Sequence, residues 1–241
     1  MSSATRTVFY KELGSSFTAK SRYLSLAGYF AISSALFCTS LQLGEGKFWT
    51  LQSLWTLSVA LPLPVLVSLL TMPLFAGERA AGTFEPLLLL PVPMRKFVVG
   101  KFAASYIQAC LAIAGSFVPW LLISHTLKAR APTPASLNAS FAMLFLHAFS
   151  WTALGTLTSA LSRRPWLAAV GTLISGTALM LLWVAVSHFW LSGNWLSTSF
   201  PLFRELLDAA GGHITLASAV FHATFGLWCL FTATRILEGE R

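Results

Sequence analysis

The stretch from Leu51 to Phe75 reads LQSLWTLSVALPLPVLVSLLTMPLF and carries no charged side chain. About 20 mostly apolar residues are enough for a helix to cross a bilayer. Nothing in the hydrocarbon can satisfy a backbone amide except the segment itself, so such a run predicts a membrane-spanning helix. Pro62, Pro64 and Pro73 lie inside it. Each removes a backbone donor, so the span is expected to bend or break where neighbours can satisfy the freed carbonyls.

The same reading extends outward in both directions. Comparable apolar runs lie at Tyr23 to Leu43, Phe102 to Ser124, Leu137 to Leu161, Trp166 to Trp190 and Leu216 to Ile236. The third contains Pro119. Of the 241 residues, 56% are hydrophobic and 10% charged, against roughly a quarter charged in a soluble domain. The fold class is therefore an all-α membrane protein with six transmembrane helices, residues 23–241 forming one membrane domain behind an N-terminal segment, 1–22.

The formal charge of +8 comes from residues scattered singly at the edges of the apolar runs. They form no basic patch with stacking aromatics, which argues against nucleic acid as a partner. Basic residues are retained on the cytoplasmic side of a membrane. With the N-terminus inside, twelve of the 16 basic residues fall on that side, and only Lys47, Lys128, Arg130 and Arg204 fall outside. The expectation is N-in and C-in, multi-pass, in the cell inner membrane. Trp49, Trp120, Trp190 and Trp195 near outer ends, and Trp166 near an inner one, suit interfacial anchors. About twenty mostly polar residues precede the first run, so it is expected to remain as a signal anchor. Cys38, Cys110 and Cys229 each stand alone in an apolar segment and show neither metal-ligand nor disulfide spacing.

Three connecting stretches exceed simple turns. From Thr5 to Lys20, Phe9, Leu13 and Phe17 recur every four positions with Arg6, Lys11 and Lys20 elsewhere. This pattern predicts an amphipathic helix along the membrane surface, the alternative being a frayed polar tail. Residues 76–101, AGERAAGTFEPLLLLPVPMRKFVVGK, carry both charge signs and three prolines around a leucine run. Glu85 and Pro86 can open a short helix that Pro91 and Pro93 stop. Phe84, Leu87 and Leu88 would be free to enter a partner, the alternative being a membrane re-entry without one. In the external stretch 191–215, Ser199 and Pro201 can start a helix that Gly211 and Gly212 end. It reads as a helix on the outer surface, a shallow re-entrant hairpin or an ordinary loop cap.

Chemistry that is missing narrows the function. All eight acidic residues lie outside the spans, whereas ion-coupled transporters usually place ionisable groups within the membrane. Only His147 and His222 approach that role, and helix-interface histidines more often serve packing. No H-E-x-x-H pair and no G-x-x-x-x-G-K-[ST] loop is present, so neither metalloprotease activity nor ATP binding of the Walker type is expected, and no cofactor. The spans do offer small-residue pairs, Gly155 with Ser159 and Gly171 with Ser175, spaced for close helix approach.

Within residues 76–101, Glu78-Arg79, Gly82-Thr83, Glu85, Leu87-Leu88, Pro91-Val92 and Gly100-Lys101 follow one order. That order resembles the permeases of the ABC type-2 exporter family, especially those of gliding-motility and nitrous-oxide-reductase-maturation systems. Lys11-Glu12-Leu13 before the amphipathic stretch and the six-span layout extend the resemblance over most of the chain. Pro86 directly after Glu85 departs from the pattern and shifts the start of the helix there by a few residues.

The resemblance implies a permease that forms a homodimer, or a heterodimer with a sister subunit, above two copies of a cytoplasmic ABC ATPase that hold the ATP and Mg. It implies a coupling helix at Arg79 to Leu90, with Phe84, Leu87 and Leu88 as apolar anchors and Glu78, Arg79, Gly82, Thr83 and Glu85 around them. It further implies an interfacial connecting helix built on Phe9, Lys11, Glu12, Leu13 and Phe17, and an outer cap able to meet an accessory domain. The rival reading is a non-transporting scaffold that transmits ATPase-driven motion to an external partner. A secondary transporter is weakened by the missing ion-coupling residues.

Overall fold

The computed structural model describes residues 3–18, 20–43, 50–89, 92–126, 133–190 and 201–240. All regular structure among them is helical. Six helical spans are long and apolar enough to cross a membrane, at Lys20–Gln42, Leu51–Ala80, Met94–Leu122, Pro134–Leu161, Pro165–Leu182 and Leu216–Gly239. The elements are α1 (Ser3–Thr18), α2 (Lys20–Leu43), α3 (Leu51–Ala60), α4 (Leu63–Thr71), α5 (Ala76–Ala80), α6 (Phe84–Leu88), α7 (Met94–Thr126), α8 (Pro134–Leu161), α9 (Pro165–Trp190), α10 (Pro201–Ala210) and α11 (Leu216–Gly239).

α8 is the axis of the bundle. Every residue from Thr152 to Ala160 is buried, and the helix packs against α3, α4, α7, α9, α10 and α11. The second, third and fourth spans have 67%, 61% and 67% of their apolar window inside the protein, whereas the first, fifth and sixth have 17%, 22% and 28%. The former build the core, and the latter leave most of their surface exposed. Leu179, Leu181 and Leu182 on α9 and Leu227, Trp228 and Phe231 on α11 are exposed accordingly.

The second span breaks where its prolines predict. α3 closes with the Leu61 amide on the Leu57 carbonyl, and α4 opens with the Val65 and Leu66 amides on the Pro62 carbonyl. Tyr29 of α2 donates its hydroxyl to the Val59 carbonyl in the turn before the break (3.3 Å). At the Pro73 break, Ser159 of α8 donates to the Met72 carbonyl (3.2 Å) and accepts from the amides of Phe75 (3.1 Å) and Ala76 (3.2 Å). One hydroxyl thus satisfies three backbone groups that a membrane interior would leave unpaired.

The Gly155 and Ser159 pair marks the α4–α8 crossing as its spacing suggests. A Cβ on Gly155 would lie 2.2 Å from Thr71 Oγ1. On α9 the tight approach is at Gly176, under Trp151, whereas Gly171 has room against Thr158. Pro119 does not end α7, which continues to Thr126, and Trp55 donates its indole N–H to the Ser116 carbonyl in the preceding turn (3.2 Å).

The core has two centres. Around Trp55, the rings of Phe117, Trp120 and Phe141 lie 5.2 to 6.2 Å away, centroid to centroid. Leu206 and Ala209 of α10 belong to this first cluster. The second, at the end near the 76–101 loop, gathers Phe75, Phe84, Phe97, Phe102, Cys229 and Leu237. α10 packs its apolar face on α3 and α8, and the turn that follows it holds Gly212, whose φ of 95° suits a residue without a side chain. The first part of the expected outer stretch, residues 191–200, lies outside the described residues.

Candidate functional site

The loop between the second and third spans folds as two short helices, α5 and α6. The resemblance implied one helix from Arg79 to Leu90, but a turn at Ala81 to Thr83 divides the segment. The Gly82 and Thr83 amides donate back to the carbonyls of Arg79 (3.2 Å) and Glu78 (2.9 Å), and Gly82 has a φ of 70°, which glycine adopts at little cost. α6 begins one residue before Glu85, so this acid sits in the first turn, where the helix dipole favours it.

Lys101, in the second turn of α7, is the electrostatic centre of this region. Its side chain is 2% exposed, and Nζ donates to Glu12 Oε1 (2.6 Å) and Glu78 Oε1 (2.8 Å). Burying an ammonium is costly unless opposite charge and hydrogen bonds compensate. Here one cation joins α1, α5 and α7. The Phe75 ring lies 5.6 Å from the same nitrogen.

Arg79 makes the second tie. Its Nη1 donates to the carbonyls of Ala160 and Ser162 at the end of α8. Its Nη2 meets both carboxylate oxygens of Glu240 (2.8 and 2.6 Å), and the guanidinium lies over the Phe84 ring at 4.6 Å. The carbonyls are the unpaired acceptors at a helix C-terminus, where a cation is also favoured by the dipole.

The predicted residues divide by this geometry. Glu78 and Arg79 are engaged within the chain. Phe84 is buried in the second core cluster, and Leu87 and Leu88 are half-buried against it. Gly82, Thr83, Glu85 and Pro86 are exposed, and so is Leu89, at 85%. Leu89 was not among the expected anchors; the leucine run alone gives no signal as to which member faces out. Leu90 and Pro91 lie outside the described residues.

In α1, the side chains against the bundle are Thr5, Val8 and Glu12. A Cβ on Gly100 of α7 would come within 3.0 Å of Val8 and 3.2 Å of the Thr5 carbonyl. Phe9 and Leu13, on the adjacent stripe, are half-buried, and Lys11 is exposed. The side chain of Phe17 lies outside the described residues. The segment is helical over Ser3–Thr18, and the apolar stripe named from the sequence flanks its contact with the bundle.

At the opposite core centre, His222 of α11 shares a hydrogen bond of 2.7 Å between Nδ1 and Ser150 Oγ. Its Nε2 lies 3.7 Å from Glu205 of α10, and the His147 ring is 5.9 Å away. Sequence spacing alone could not bring α8, α10 and α11 together here.

A family model described as ABC-2 family transporter protein matches residues 5–199, which takes in α1, the loop and the first five spans. No curated protein shows significant similarity to the chain. With that match across most of its length and six membrane-spanning helices, the chain belongs to the ABC-2 transporter family as a multi-pass membrane permease subunit of an ABC transporter.

Proposed function

We propose that this permease is an exporter subunit of the inner membrane, driven by a separate ABC ATPase that docks beneath the 76–101 loop. The N- and C-termini then face the cytoplasm, as the distribution of basic residues favours. Two ATPase copies, with ATP and Mg, serve a pair of permease subunits, and this chain itself carries out no catalysis.

The carrying observation is the way the loop is held. Its exposed edge, Glu85, Pro86 and Leu89, is what a partner could reach. Its inner side is tied by Glu78 and Lys101 to α1 and α7, and by Arg79 to the end of α8 and to Glu240. A push on α6 is thereby delivered to several spans together. The break at Met72 to Phe75, bridged by a single serine, supplies a joint between the loop and α4. Shape change of this kind would move the cargo.

The test is whether an ABC ATPase from the same cells co-purifies with this chain. Glu85→Lys combined with Leu89→Asp should abolish recruitment while leaving the permease folded. Unchanged recruitment by that variant would refute the docking assignment.

A further inference from the structure

The turn between α8 and α9, residues 162–164, presents Arg163 and Arg164 side by side, both exposed. Its backbone is fixed at either end. The Ser162 carbonyl accepts from Arg79 Nη1 (2.9 Å), and the Arg164 carbonyl accepts from the Ala168 amide (3.2 Å). The tie to Arg79 places the pair at the loop end of the bundle. Leu161 before the turn and Trp166 after it are large apolar side chains that are also exposed.

Other cations at this end are matched within the chain: Lys101 meets Glu12 and Glu78, Arg79 meets Glu240, and Arg235 meets Glu238. Neither Arg163 nor Arg164 has a carboxylate partner among the described residues. Adjacent like charges repel, and an anion from outside the chain relieves that repulsion. Below them Trp166, Val170, Ile174 and Ala178 descend α9 at four-residue steps, all exposed. Such steps stay on one face of a helix. From 166 to 178 the face runs about 18 Å, a little over half the hydrocarbon thickness of about 30 Å. A doubly cationic head thus stands over an apolar track of one leaflet's depth.

We infer that this surface binds a phospholipid of net negative charge, in the leaflet on the loop side of the bundle. Its phosphate accepts from the guanidinium groups of Arg163 and Arg164, Trp166 lies at the headgroup boundary, and an acyl chain follows Val170, Ile174 and Ala178. Arginine suits the role because its planar fork can donate two hydrogen bonds to one phosphate. A zwitterionic lipid offers the same phosphate with a cation attached, which the second arginine repels. A second copy of this chain fits less well, since a twofold contact here would bring the same arginines against each other.

The experiment is native mass spectrometry of the delipidated full-length chain titrated with phosphatidylglycerol and phosphatidylethanolamine of matched acyl chains. Phosphatidylglycerol should bind about thirtyfold more tightly, the attraction expected from two arginines at an anionic headgroup. Arg163→Gln or Arg164→Gln alone should leave about a fivefold preference, and the double variant none. Arg95→Gln with Lys96→Gln, at the start of α7, lowers the net charge equally and should leave the preference in place. Melting temperatures in lipid-free detergent report whether each variant is folded. Glycerophosphoglycerol, the headgroup without acyl chains, should not displace the lipid at equal concentration. Equal binding of the two lipids, a retained preference in the folded double variant, an equal loss in the α7 control or displacement by the free headgroup overturns the inference. So does loss of ABC ATPase co-purification in a double variant whose lipid preference is unchanged, which assigns the arginines to the protein partner. The lipid titration needs no ATPase, so its failure and failure of the docking assignment are separate results.

Discussion

Replacing Lys101 with methionine keeps most of the side-chain volume and removes the charge. Glu12 and Glu78, with side chains 13% and 17% exposed, would then face one another without the ammonium that lies 2.6 and 2.8 Å from them. Removing one member of a buried ion pair typically costs about 3–5 kcal/mol. The carboxylates here retain a little contact with solvent, which places the expected loss at the lower end, about 3 kcal/mol. For a chain of this size that is an apparent melting shift of about 6–12 °C. The assay is thermal unfolding in detergent followed by size-exclusion fluorescence, with limited proteolysis of α1 as a local readout. Glu78→Gln should cost less, because Lys101 keeps Glu12. The triple variant Glu12→Gln, Glu78→Gln, Lys101→Met should recover most of the loss, since a whole buried charge cluster can often be neutralised at little cost. A Lys101→Met protein that melts with the wild type would refute the reasoning. A triple variant as unstable as the single one would do so as well.

Three further outcomes follow from the packing, each read by the same melting assay. Gly155→Ala should destabilise by about 1–3 kcal/mol through overpacking, and Thr71→Ala should relieve only part of it, because the Thr71 Cβ remains 2.9 Å from the new methyl group. Ser159→Ala removes the hydroxyl serving Met72, Phe75 and Ala76; a cost of about 1–3 kcal/mol is expected for each buried group left unpaired, and a loss below 1 kcal/mol would show that the break is satisfied some other way. Glu240→Ala should cost less than about 1 kcal/mol, because its carboxylate is 42% exposed. Arg79→Ala should cost more, since it also uncaps the end of α8.

The spans and their interruptions were legible because both depend on local composition. An uncharged run of sufficient length has one solution in lipid, and Pro62 and Pro73 punctuate the second run wherever it lies. The loop was legible as two-signed and proline-bounded. Its turn at Gly82 was not, since the resemblance suggested continuous helix there. The partners of Lys101 and Arg79 were hidden for a different reason. Glu12 is 89 residues from Lys101 and Glu240 is 161 from Arg79, and no periodicity in one sequence reports a pairing over such distances. The burial of α10 was hidden likewise: its apolar face is plain at Leu206 and Ala209, but whether that face meets lipid, water or protein depends on how α3 and α8 are placed. Gly176 was missed because Gly171 and Ser175 carry the expected spacing and the relevant neighbour, Trp151, is large and distant in sequence.

The bidentate contact between Arg79 and Glu240 also orders events in time. Ribosomes add about 5–20 residues per second, so the 161 positions separating these partners take about 8–30 s to synthesise. Throughout that interval the guanidinium has been made but its carboxylate has not, and the carbonyls of Ala160 and Ser162 arrive only midway. The loop is therefore fully anchored only well after α5 itself has been synthesised, and a chain stalled before Glu240 would carry Arg79 with its carboxylate contact missing.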